Sequence, residues 1–329
     1  MFVPLPAAEP VAVRGPFAAL TIDAPRRRVF AAGPAAVAVL DADMARAGAL
    51  AAEHGALAAT AVALGETLDA LANGQADVAV IVASPSVFHL EHALIAIGRG
   101  FNVLVEKPPW VPGQDPAALL SAAAGSSALT AVGMTTRFSP GVQALRRAIR
   151  SGQLGSVMLV SDLVAFSLAG ESGLPAWYFE PGLSGGGVLV TNGVHSIDRV
   201  SWVLGEPLVL ETARKSSGWW RDCEDTASLM LRAGGAAVSI TELWSPGPVP
   251  TSQLLVVGDR GSAWTDAQGN WSVSSREGAT SGSPPPCFTN LGAQWRSFRN
   301  AVGSNARDDA LPTLADLLPT MSVLAQAMG

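Results

Sequence analysis

The feature that most constrains the fold is a regular alternation of short apolar runs and amphipathic stretches in the first 135 residues. Runs rich in β-branched residues predict buried strands at 11–13, 36–40, 78–83, 102–105 and 130–132. Helical spacing of apolar residues predicts helices at 44–54, 66–72, 87–98 and 115–124. Strands and helices that alternate in this way form a parallel sheet covered on both faces. We therefore predict a doubly wound, Rossmann-like α/β domain over residues 1–135.

After residue 135 the pattern changes to strands that follow one another without helices. Helices are predicted at 140–150, 186–204, 291–302 and 312–328, and strands at 157–166, 208–212, 226–232, 236–243, 253–257 and 262–265. Glycine-containing turns between consecutive strands are typical of hairpins. The segment 275–286 has low complexity and is predicted to be a mobile loop. We predict an α+β domain with a mostly antiparallel open sheet over residues 136–329.

Composition excludes several classes of protein. Hydrophobic residues make up 49% and charged residues 15%, which excludes a disordered chain. The net charge is 21 − 27 = −6 without a basic face, so no nucleic-acid partner is expected. The apolar runs are too short to span a membrane and the first residues lack a secretory pattern, so we expect a cytoplasmic protein. Cys223 and Cys287 lie far apart outside any ligand cluster, so we predict free thiols and no metal.

A lysine follows the strand predicted at 102–105, in the tripeptide Glu106-Lys107-Pro108. Ser84-Pro85 follows the preceding strand in the same way. Ligands of open parallel sheets bind outside the carboxyl ends of the strands. Lys107 is therefore either an ammonium aimed at a reacting oxygen or a solvated charge at a strand end.

Four further segments combine with this tripeptide. Residues 185–198 read GGGVLVTNGVHSID and open the predicted long helix; the others are Val39-Leu40-Asp41, Arg137-Phe138-Ser139-Pro140 and Glu224-Asp225-Thr226-Ala227. Together these motifs resemble the glucose–fructose oxidoreductase / inositol dehydrogenase / MocA family over nearly the whole chain. The resemblance implies hydride exchange between nicotinamide and an alcohol or ketone carbon, in the cleft between the two domains. The implied substrate is a sugar, a sugar derivative or a cyclitol.

The resemblance also implies roles for individual residues. His195 matches the acid/base histidine, whose ordinary pKa suits proton transfer in both directions, and Lys107 would polarise the same oxygen. The implied substrate contacts are Arg137, Asn192 and His195. A cluster of aromatic residues in predicted loops adds Trp177 to the candidate substrate contacts; its members are Trp177, Tyr178, Trp219 and Trp220. These side chains either stack on the apolar face of a sugar or form a sheet-to-sheet dimer contact. Asp41 would accept the ribose hydroxyls and favour NAD over NADP. The other implied cofactor contacts are Gly15, Pro16, Phe17, Ser84, Pro85, His89, Glu106, Lys107 and Pro108. A structural role for His89, and a helix-cap role for Asp41, stay open.

Two positions depart from the family pattern. Thr191 stands where relatives usually carry an aspartate, so Asp198, on the same helical stripe, is the other candidate to orient His195. The segment from Gly15 to Leu20 matches the glycine-rich phosphate loop but keeps only its first glycine, and Pro16 lacks a backbone N–H. We therefore expect weak dinucleotide binding.

These departures keep a second interpretation open. It is a relative with lost or altered redox chemistry, either a cofactor-independent lyase or isomerase or a non-catalytic partner subunit. Under either interpretation, the open sheet of the second domain predicts a homo-oligomer, since relatives pair through its exposed face.

Overall fold

The computed structural model describes residues 18–22, 36–54, 56–72, 78–168, 174–219, 222–247, 251–304 and 306–329. The chain divides into two compact units. The first comprises Met1–Gly133, Gly173–Pro175 and Trp295–Ala315, and the second comprises Met134–Ser172, Ala176–Gln294 and Asp316–Gly329. None of the helices in the described ranges combines the length and apolar character that a membrane span requires.

The first unit contains a six-stranded, wholly parallel sheet. Its strands are β1 (Ala18–Ile22), β2 (Ala36–Asp41), β3 (Leu57–Thr60), β4 (Val78–Val82), β5 (Asn102–Val105) and β6 (Thr130–Val132). They lie in the order β3-β2-β1-β4-β5-β6. The helices are α1 (Met44–His54), α2 (Leu64–Ala72), α3 (His89–Ile97) and α4 (Ala117–Gly125). Every residue of β4 is buried, as expected for a strand covered on both faces. The predicted doubly wound fold is confirmed.

The start of this sheet differs from the prediction. Strand β1 lies between β2 and β4, so it takes the place of the first strand of the Rossmann fold. Residues 18–20, which were matched to the phosphate loop, form part of this strand instead. The predicted strand at 11–13 and the predicted cofactor contacts Gly15, Pro16 and Phe17 lie outside the described residues.

A segment from the end of the chain completes the first unit. Helix α8 (Asn290–Ser304) leads into residues that reach the edge strand β6. The backbone N–H of Val132 donates to the carbonyl of Pro312 at 2.9 Å, and Ala131 forms a bridge with Thr313. The sequence had assigned everything after residue 135 to the second domain. The edge of a sheet has unpaired backbone groups, and here a distant segment pairs with them.

The second unit is built on an eight-stranded sheet. Its strands are β7 (Val157–Ser167), β8 (Val209–Ser216), β9 (Thr226–Ala233), β10 (Ala236–Ser245), β11 (Thr251–Gly258), β12 (Gly261–Asp266), β13 (Trp271–Ser275) and β14 (Gly278–Gly282). Their order is β14-β13-β12-β11-β7-β10-β9-β8, and only β7 and β10 pair in parallel. Its helices are α5 (Pro140–Arg150), α6 (Pro181–Ser184), α7 (Val194–Leu204) and α9 (Leu318–Met328).

The last hairpin contradicts the predicted mobile loop at 275–286. Strand β14 pairs with β13 from Gly278 to Gly282. Its residues, GATSG, include a single β-branched residue, Thr280, and no aromatic residue, so the side chains hardly indicate a strand. Backbone hydrogen bonds to β13 form this strand.

One face of the eight-stranded sheet is covered by helices and the other is open. In β9 the residues Ala227, Leu229, Leu231 and Ala233 are buried, while those between them are more exposed. Helices α5, α7 and α9 contact the sheet. The open face carries large apolar side chains, with Leu159, Leu163, Met230 and Trp264 between 37% and 48% exposed.

Candidate active site

The turns after β4 and β5 lie side by side at the carboxyl edge of the parallel sheet. Parallel pairing places the ends of Val82 and Val105 next to each other. The N–H of Glu106 donates to the carbonyl of Val82 at 2.8 Å, which continues the pairing into the turn. Ser84 follows one strand and Lys107 the other, and the Lys107–Pro108 peptide bond is cis. The structure therefore brings these predicted residues to the edge where such sheets bind ligands.

His89 joins these two turns. It is the first residue of α3 and is 2% exposed. Its Nδ1 lies 2.7 Å from the carbonyl oxygen of Pro108, and its Nε2 lies 2.7 Å from the carbonyl oxygen of Ser84. Burial, with smaller effects from Lys107 and His92, lowers the pKa of His89 to about 4. The imidazole is therefore neutral near pH 7.

Glu106 packs its carboxyl group against the backbone of Gly133. A Cβ built at Gly133 would lie 3.1 Å from Glu106 Oε2, closer than ordinary contact, so only glycine fits there without displacing the carboxyl group. Burial raises the pKa of Glu106, although the nearby Lys107 opposes that shift. No local sequence pattern indicates that residue 133 must leave room for this carboxyl group.

Asp41 ends β2 and is 2% exposed. Arg46 binds both of its carboxylate oxygens, with Nη2 at 2.8 Å from Oδ1 and Nε at 2.6 Å from Oδ2. The helix-cap role belongs to Asp43, whose Oδ1 accepts a bond from the N–H of Ala45 at 2.9 Å. Asp41 is thus a strand-end carboxylate whose charge is balanced by a neighbouring guanidinium.

His195 lies on a helix whose first turn is wider than predicted. The sequence indicated one helix over 186–204, but Leu189–Gly193 form a π-helical turn, and α7 begins only at Val194. The α-helical spacing that placed Thr191 and His195 on one stripe therefore does not hold across this junction. π-Turns inside helices occur frequently at functional sites. His195 is half-buried.

The start of this helix requires a glycine and a glutamate. A Cβ at Gly187 would come within 1.9 Å of the carbonyl oxygen of Glu224, so no other residue fits. That carbonyl accepts the N–H of Val188 at 2.8 Å, and Glu224 Oε1 accepts the N–H of Leu189 at 3.2 Å. Glu224 therefore satisfies N–H groups that the first helical turn leaves unpaired.

Three side chains contact the side-chain oxygen of Asn192. The indole N–H of Trp244 donates to Oδ1 at 2.9 Å and the hydroxyl of Tyr178 donates at 3.4 Å. The hydroxyl of Thr191 lies 3.1 Å away, and its single proton bonds either to this oxygen or to the Gly187 carbonyl at 2.8 Å. Because an indole N–H can only donate, it determines the orientation of the amide. The amide nitrogen therefore points away from these three side chains. Asn192 and Thr191 are among the residues predicted from the sequence, but Trp244 is not. Its only local signal is that it occupies one of the alternating buried positions of β10.

Asp198 and Arg137 are paired with each other. Arg137 donates from Nε to Oδ2 at 2.8 Å and from Nη2 to Oδ1 at 2.6 Å, and both side chains are buried. The Arg137 guanidinium also lies 5.6 Å from the ring centre of Trp202. Arg137 is predicted as a substrate contact and Asp198 as support for His195. The structure shows the two side chains bound to each other, a pairing across 61 positions that no local sequence pattern indicates.

Two further polar residues of α7, Arg199 and Ser196, are also paired inside the unit. Arg199 forms a bidentate pair with Asp162 of β7, and the hydroxyl of Ser196 donates to Glu242 of β10. Burial disfavours the charged form of Arg199, but Asp162 and Glu242 outweigh it and raise the pKa of Arg199 above its ordinary value. These pairs hold the helix that carries His195 against the sheet.

The aromatic residues form a cluster that differs in part from the prediction. Trp177 lies 5.7 Å from Tyr178 between ring centres, and Trp244 contacts Tyr178 and Phe179 at 5.9 and 5.4 Å. Trp219, in contrast, is 69% exposed. Trp220 lies outside the described residues. The cluster therefore supports Asn192 through Tyr178 and Trp244.

Two family models match the chain. The model described as an oxidoreductase family with an NAD-binding Rossmann fold matches residues 15–134. The GFO/IDH/MocA C-terminal domain matches residues 142–264. The chain belongs to the GFO/IDH/MocA oxidoreductase family. The resemblance drawn from the motifs around Lys107 and His195 is thus confirmed, and the first unit contains the NAD-binding domain of this family.

Individual relatives agree with this assignment. Inositol 2-dehydrogenase 2 of Saccharopolyspora erythraea is 31% identical over 216 residues, which cover 64% of this chain and 59% of the relative. D-glucoside 3-dehydrogenase of Escherichia coli is 33% identical over 132 residues, which cover 40% of this chain and 36% of the relative. The chain thus matches less than two thirds of the length of either relative.

Solved structures establish the fold independently. The aldose-aldose oxidoreductase of Caulobacter crescentus superposes with a TM-score of 0.78 over 95% of this chain and 97% of that chain, at 18% identity. At this identity the likeness identifies the fold and not the substrate.

Proposed function

We propose that this protein is an NAD-dependent oxidoreductase that exchanges hydride with an alcohol or ketone carbon of a sugar, a sugar derivative or a cyclitol. The observation that carries the proposal is the position of Lys107 at the carboxyl edge of an NAD-binding Rossmann sheet. The names of the relatives, an inositol dehydrogenase and a glucoside dehydrogenase, support polyhydroxylated rings as the substrate class.

The residues present fit a dinucleotide at this edge. Asp41 ends β2, where Rossmann domains hold the adenosine ribose, and Ser84-Pro85, His89 and Glu106-Lys107-Pro108 surround the ends of β4 and β5. When bound, nicotinamide supplies the hydride acceptor or donor. The preference for NAD over NADP depends on Asp41, with Arg46 reducing the effect of its charge.

Lys107 and His195 divide the work on the reacting oxygen. In the oxidative direction the carbon loses a hydride, the hydroxyl loses its proton, and a carbonyl forms. The neutral imidazole of His195 accepts that proton and returns it in the reverse reaction. The ammonium of Lys107 stabilises the negative charge that develops on the oxygen. Thr191 carries no charge, so it contributes to this chemistry only by hydrogen bonding.

Asn192 and Trp177 bind the rest of the substrate in this proposal. The oxygen of Asn192 is held by Trp244, Thr191 and Tyr178, so its amide nitrogen is the group left to donate to a substrate hydroxyl. Trp177 offers an aromatic face to the apolar side of a sugar ring. Arg137, paired with Asp198, acts as support for the helix and not as a direct contact.

The test combines cofactor binding and turnover. NAD⁺ and NADP⁺ are titrated by calorimetry, and the absorbance of NADH at 340 nm is followed with myo-inositol, glucose and an alkyl glucoside. On the best substrate, Lys107→Ala and His195→Ala are each expected to lower kcat by ~10²–10⁴-fold. Lys215→Ala, at the exposed second lysine, is the matched control.

Three results contradict the proposal. Turnover within a few-fold of wild type in either variant removes the assigned roles. Folded protein that binds neither dinucleotide favours the interpretation of a relative with lost or altered redox chemistry. Turnover without added cofactor favours the lyase or isomerase form of that interpretation.

We also propose that two copies pair through the open face of the eight-stranded sheet. One row across this face places two adjacent serines between apolar side chains, in the order Met230, Ser239, Ser161, Leu255 and Trp264. Such a flat, exposed and partly apolar face is typical of a self-complementary interface.

A further inference from the structure

The two turns that would face the nicotinamide are joined by one buried side chain. His89 Nδ1 lies 2.7 Å from the Pro108 carbonyl oxygen, directly after Lys107, and Nε2 lies 2.7 Å from the Ser84 carbonyl oxygen. Both contacts are to backbone carbonyl oxygens, so they constrain the backbone of the turn at Ser84 and of the turn at Pro108. Since His89 is 2% exposed, water does not compete for these contacts.

An imidazole is well suited to hold two backbone groups at a fixed separation. The ring is rigid, and its two nitrogens point in different directions. Because the neutral ring carries one N–H, it donates to one of the two carbonyl oxygens at a time, and exchange of the tautomer moves that hydrogen bond from one carbonyl to the other. A flexible side chain such as glutamine reaches one acceptor without fixing the other.

A second contact runs between the same two stretches of chain. Gln114 Nε2 donates to the carbonyl of Val87 at 2.8 Å, and its Oε1 accepts the N–H of Val111 at 3.0 Å. Residues beyond β5 are thus tied to residues beyond β4 at two places. His89 is the contact adjacent to Lys107, and Gln114 anchors the far end of the segment.

We propose that His89 is a positioning residue that sets the direction of Lys107 by bridging the carbonyls of Ser84 and Pro108. It touches neither substrate nor reacting atoms in this role. The inference rests on the proposed function, because Lys107 needs a fixed direction only if its ammonium acts on a substrate oxygen. The resemblance implies a direct cofactor contact for His89, whereas in this proposal His89 acts indirectly, through the position of Lys107.

The neighbouring histidine on the same helix provides a matched control. His92 Nδ1 lies 3.0 Å from the hydroxyl of Ser84, and its ring stacks on Phe88 at 5.9 Å between centres. His92→Phe therefore removes an imidazole from α3 while the bridge from His89 to Pro108 is retained. A general disturbance of α3 would affect both variants alike.

The composition of the chain makes the direction of Lys107 directly observable. Lys107 and Lys215 are the only lysines in the sequence. Reductive methylation with ¹³C-formaldehyde labels these two side chains and the N-terminus, and Lys107→Arg and Lys215→Arg assign the signals in ¹H–¹³C spectra. Spectra are recorded with and without NAD⁺. The Lys215 signal is the internal reference.

In wild type, the chemical shift of the Lys107 methyl groups is expected to differ from that of a solvent-exposed dimethyl-lysine and to change when NAD⁺ binds. In His89→Phe, this chemical shift is expected to approach the solvent-exposed value and to change much less on addition of NAD⁺. The affinity for NAD⁺ is expected to change by less than about tenfold. His92→Phe is expected to keep the wild-type signal. His89→Gln, which keeps one donor and serves if His89→Phe does not fold, is expected to give an intermediate position.

Coincidence of the Lys107 signals of wild type and both His89 variants, with and without NAD⁺, overturns the inference. An equal change in His92→Phe does so as well. Failure of wild type to bind NAD⁺ contradicts the proposed function instead, and the spectra without NAD⁺ then still decide whether His89 directs Lys107.

Discussion

Asp41 illustrates how a neighbouring residue changes the chemistry of a single carboxylate. At the end of the second strand of a Rossmann domain, a lone aspartate binds ribose hydroxyls and repels a 2′-phosphate. Here Arg46 binds both carboxylate oxygens, so the net charge of the pair is close to zero. The Arg46 side chain is 43% exposed, so its guanidinium is also within reach of solvent and of a ligand.

The first prediction concerns the choice between NAD and NADP. Arg46→Ala leaves the charge of Asp41 uncompensated and is expected to raise the preference for NAD by roughly tenfold. Asp41→Asn leaves the guanidinium uncompensated and is expected to lower the preference by a similar factor. Calorimetric titration with both dinucleotides measures each ratio. Arg46→Lys keeps the charge as a control, and equal ratios in all four proteins would show that the pair plays no part.

The second prediction concerns His89 and acid. Burial, aided by the charges of Lys107 and His92, lowers the pKa of His89 from 6.5 to about 4, so the folded state resists protonation that the unfolded state accepts. The resulting stability is fully present above pH 6.5 and is lost as the pH falls toward 4. This effect lowers the free energy of unfolding by about 3 kcal/mol between pH 6.5 and pH 4.

Comparison with His89→Gln isolates this effect. Burial raises the pKa of Glu106, so its ionisation lowers the free energy of unfolding as the pH rises above 4.5, opposite to the effect of His89. Because both proteins contain Glu106, its contribution cancels in the comparison. The difference in the free energy of unfolding between wild type and His89→Gln is therefore expected to narrow as the pH falls from 6.5 to 4. Urea unfolding at several pH values measures this difference. A gap that stays constant would mean that His89 titrates normally in the folded protein.

At the scale of elements, the segment 189–204 is held by three buried polar pairs. Asp198 pairs with Arg137, Arg199 pairs with Asp162, and Ser196 pairs with Glu242. A buried ion pair contributes little net stability compared with apolar residues, but it strongly disfavours any arrangement that leaves one partner alone. These pairs therefore specify the rotation and position of the helix that presents His195.

The third prediction tests the pair that the sequence did not reveal. Asp198→Asn leaves the buried Arg137 guanidinium without its counter-charge and is expected to lower the free energy of unfolding by ~3–5 kcal/mol. Thr191→Val removes a hydroxyl whose single proton bonds to the carbonyl of Gly187 or to Asn192 Oδ1, and is expected to cost about 1 kcal/mol.

A double variant separates charge pairing from packing. Arg137→Met combined with Asp198→Leu replaces both charges with apolar groups and is expected to recover much of the stability that Asp198→Asn loses. Urea unfolding of the single and double variants gives the coupling energy. Additive losses in the double variant would show that the two residues do not depend on each other.

At the scale of the whole molecule, one face of the eight-stranded sheet is left uncovered and exposes large apolar side chains. Helices cover one side of eight strands, while Leu159, Leu163 and Met230 stay at least 40% exposed on the other. The end strand β14 is short and carries only small side chains, and the end strand β8 carries Glu211, Arg214 and Lys215. Charged or very short edge strands disfavour edge-to-edge pairing, so a face-to-face contact suits this sheet better.

The fourth prediction follows from this face. In a symmetric pair each substitution occurs twice, so Leu163→Asp or Met230→Lys places two like charges in one interface and is expected to give monomers. Sedimentation velocity measures the change. Val62→Asp, at a 95% exposed position in the first unit, is the control. A wild-type protein that sediments as a monomer would contradict the proposed pairing.

The sequence by itself determined the elements whose signal is local. The strands at 102–105 and 130–132 and the helices at 44–54 and 140–150 have the predicted bounds, because continuous apolar runs and apolar spacing act within a few residues. The motifs around Lys107 and His195 likewise identified the family. Parallel pairing then brings the turns after β4 and β5 together by topology alone.

Tertiary structure alone decided the partnerships between distant residues. Arg137 with Asp198, Trp244 with Asn192 and Pro312 with Val132 join residues far apart in sequence, and no local pattern records which groups meet. Strand β14 and the π-helical turn at Leu189–Gly193 were missed for the same reason. Backbone pairing with a neighbour, and the fit of a helix on its sheet, override weak local preferences.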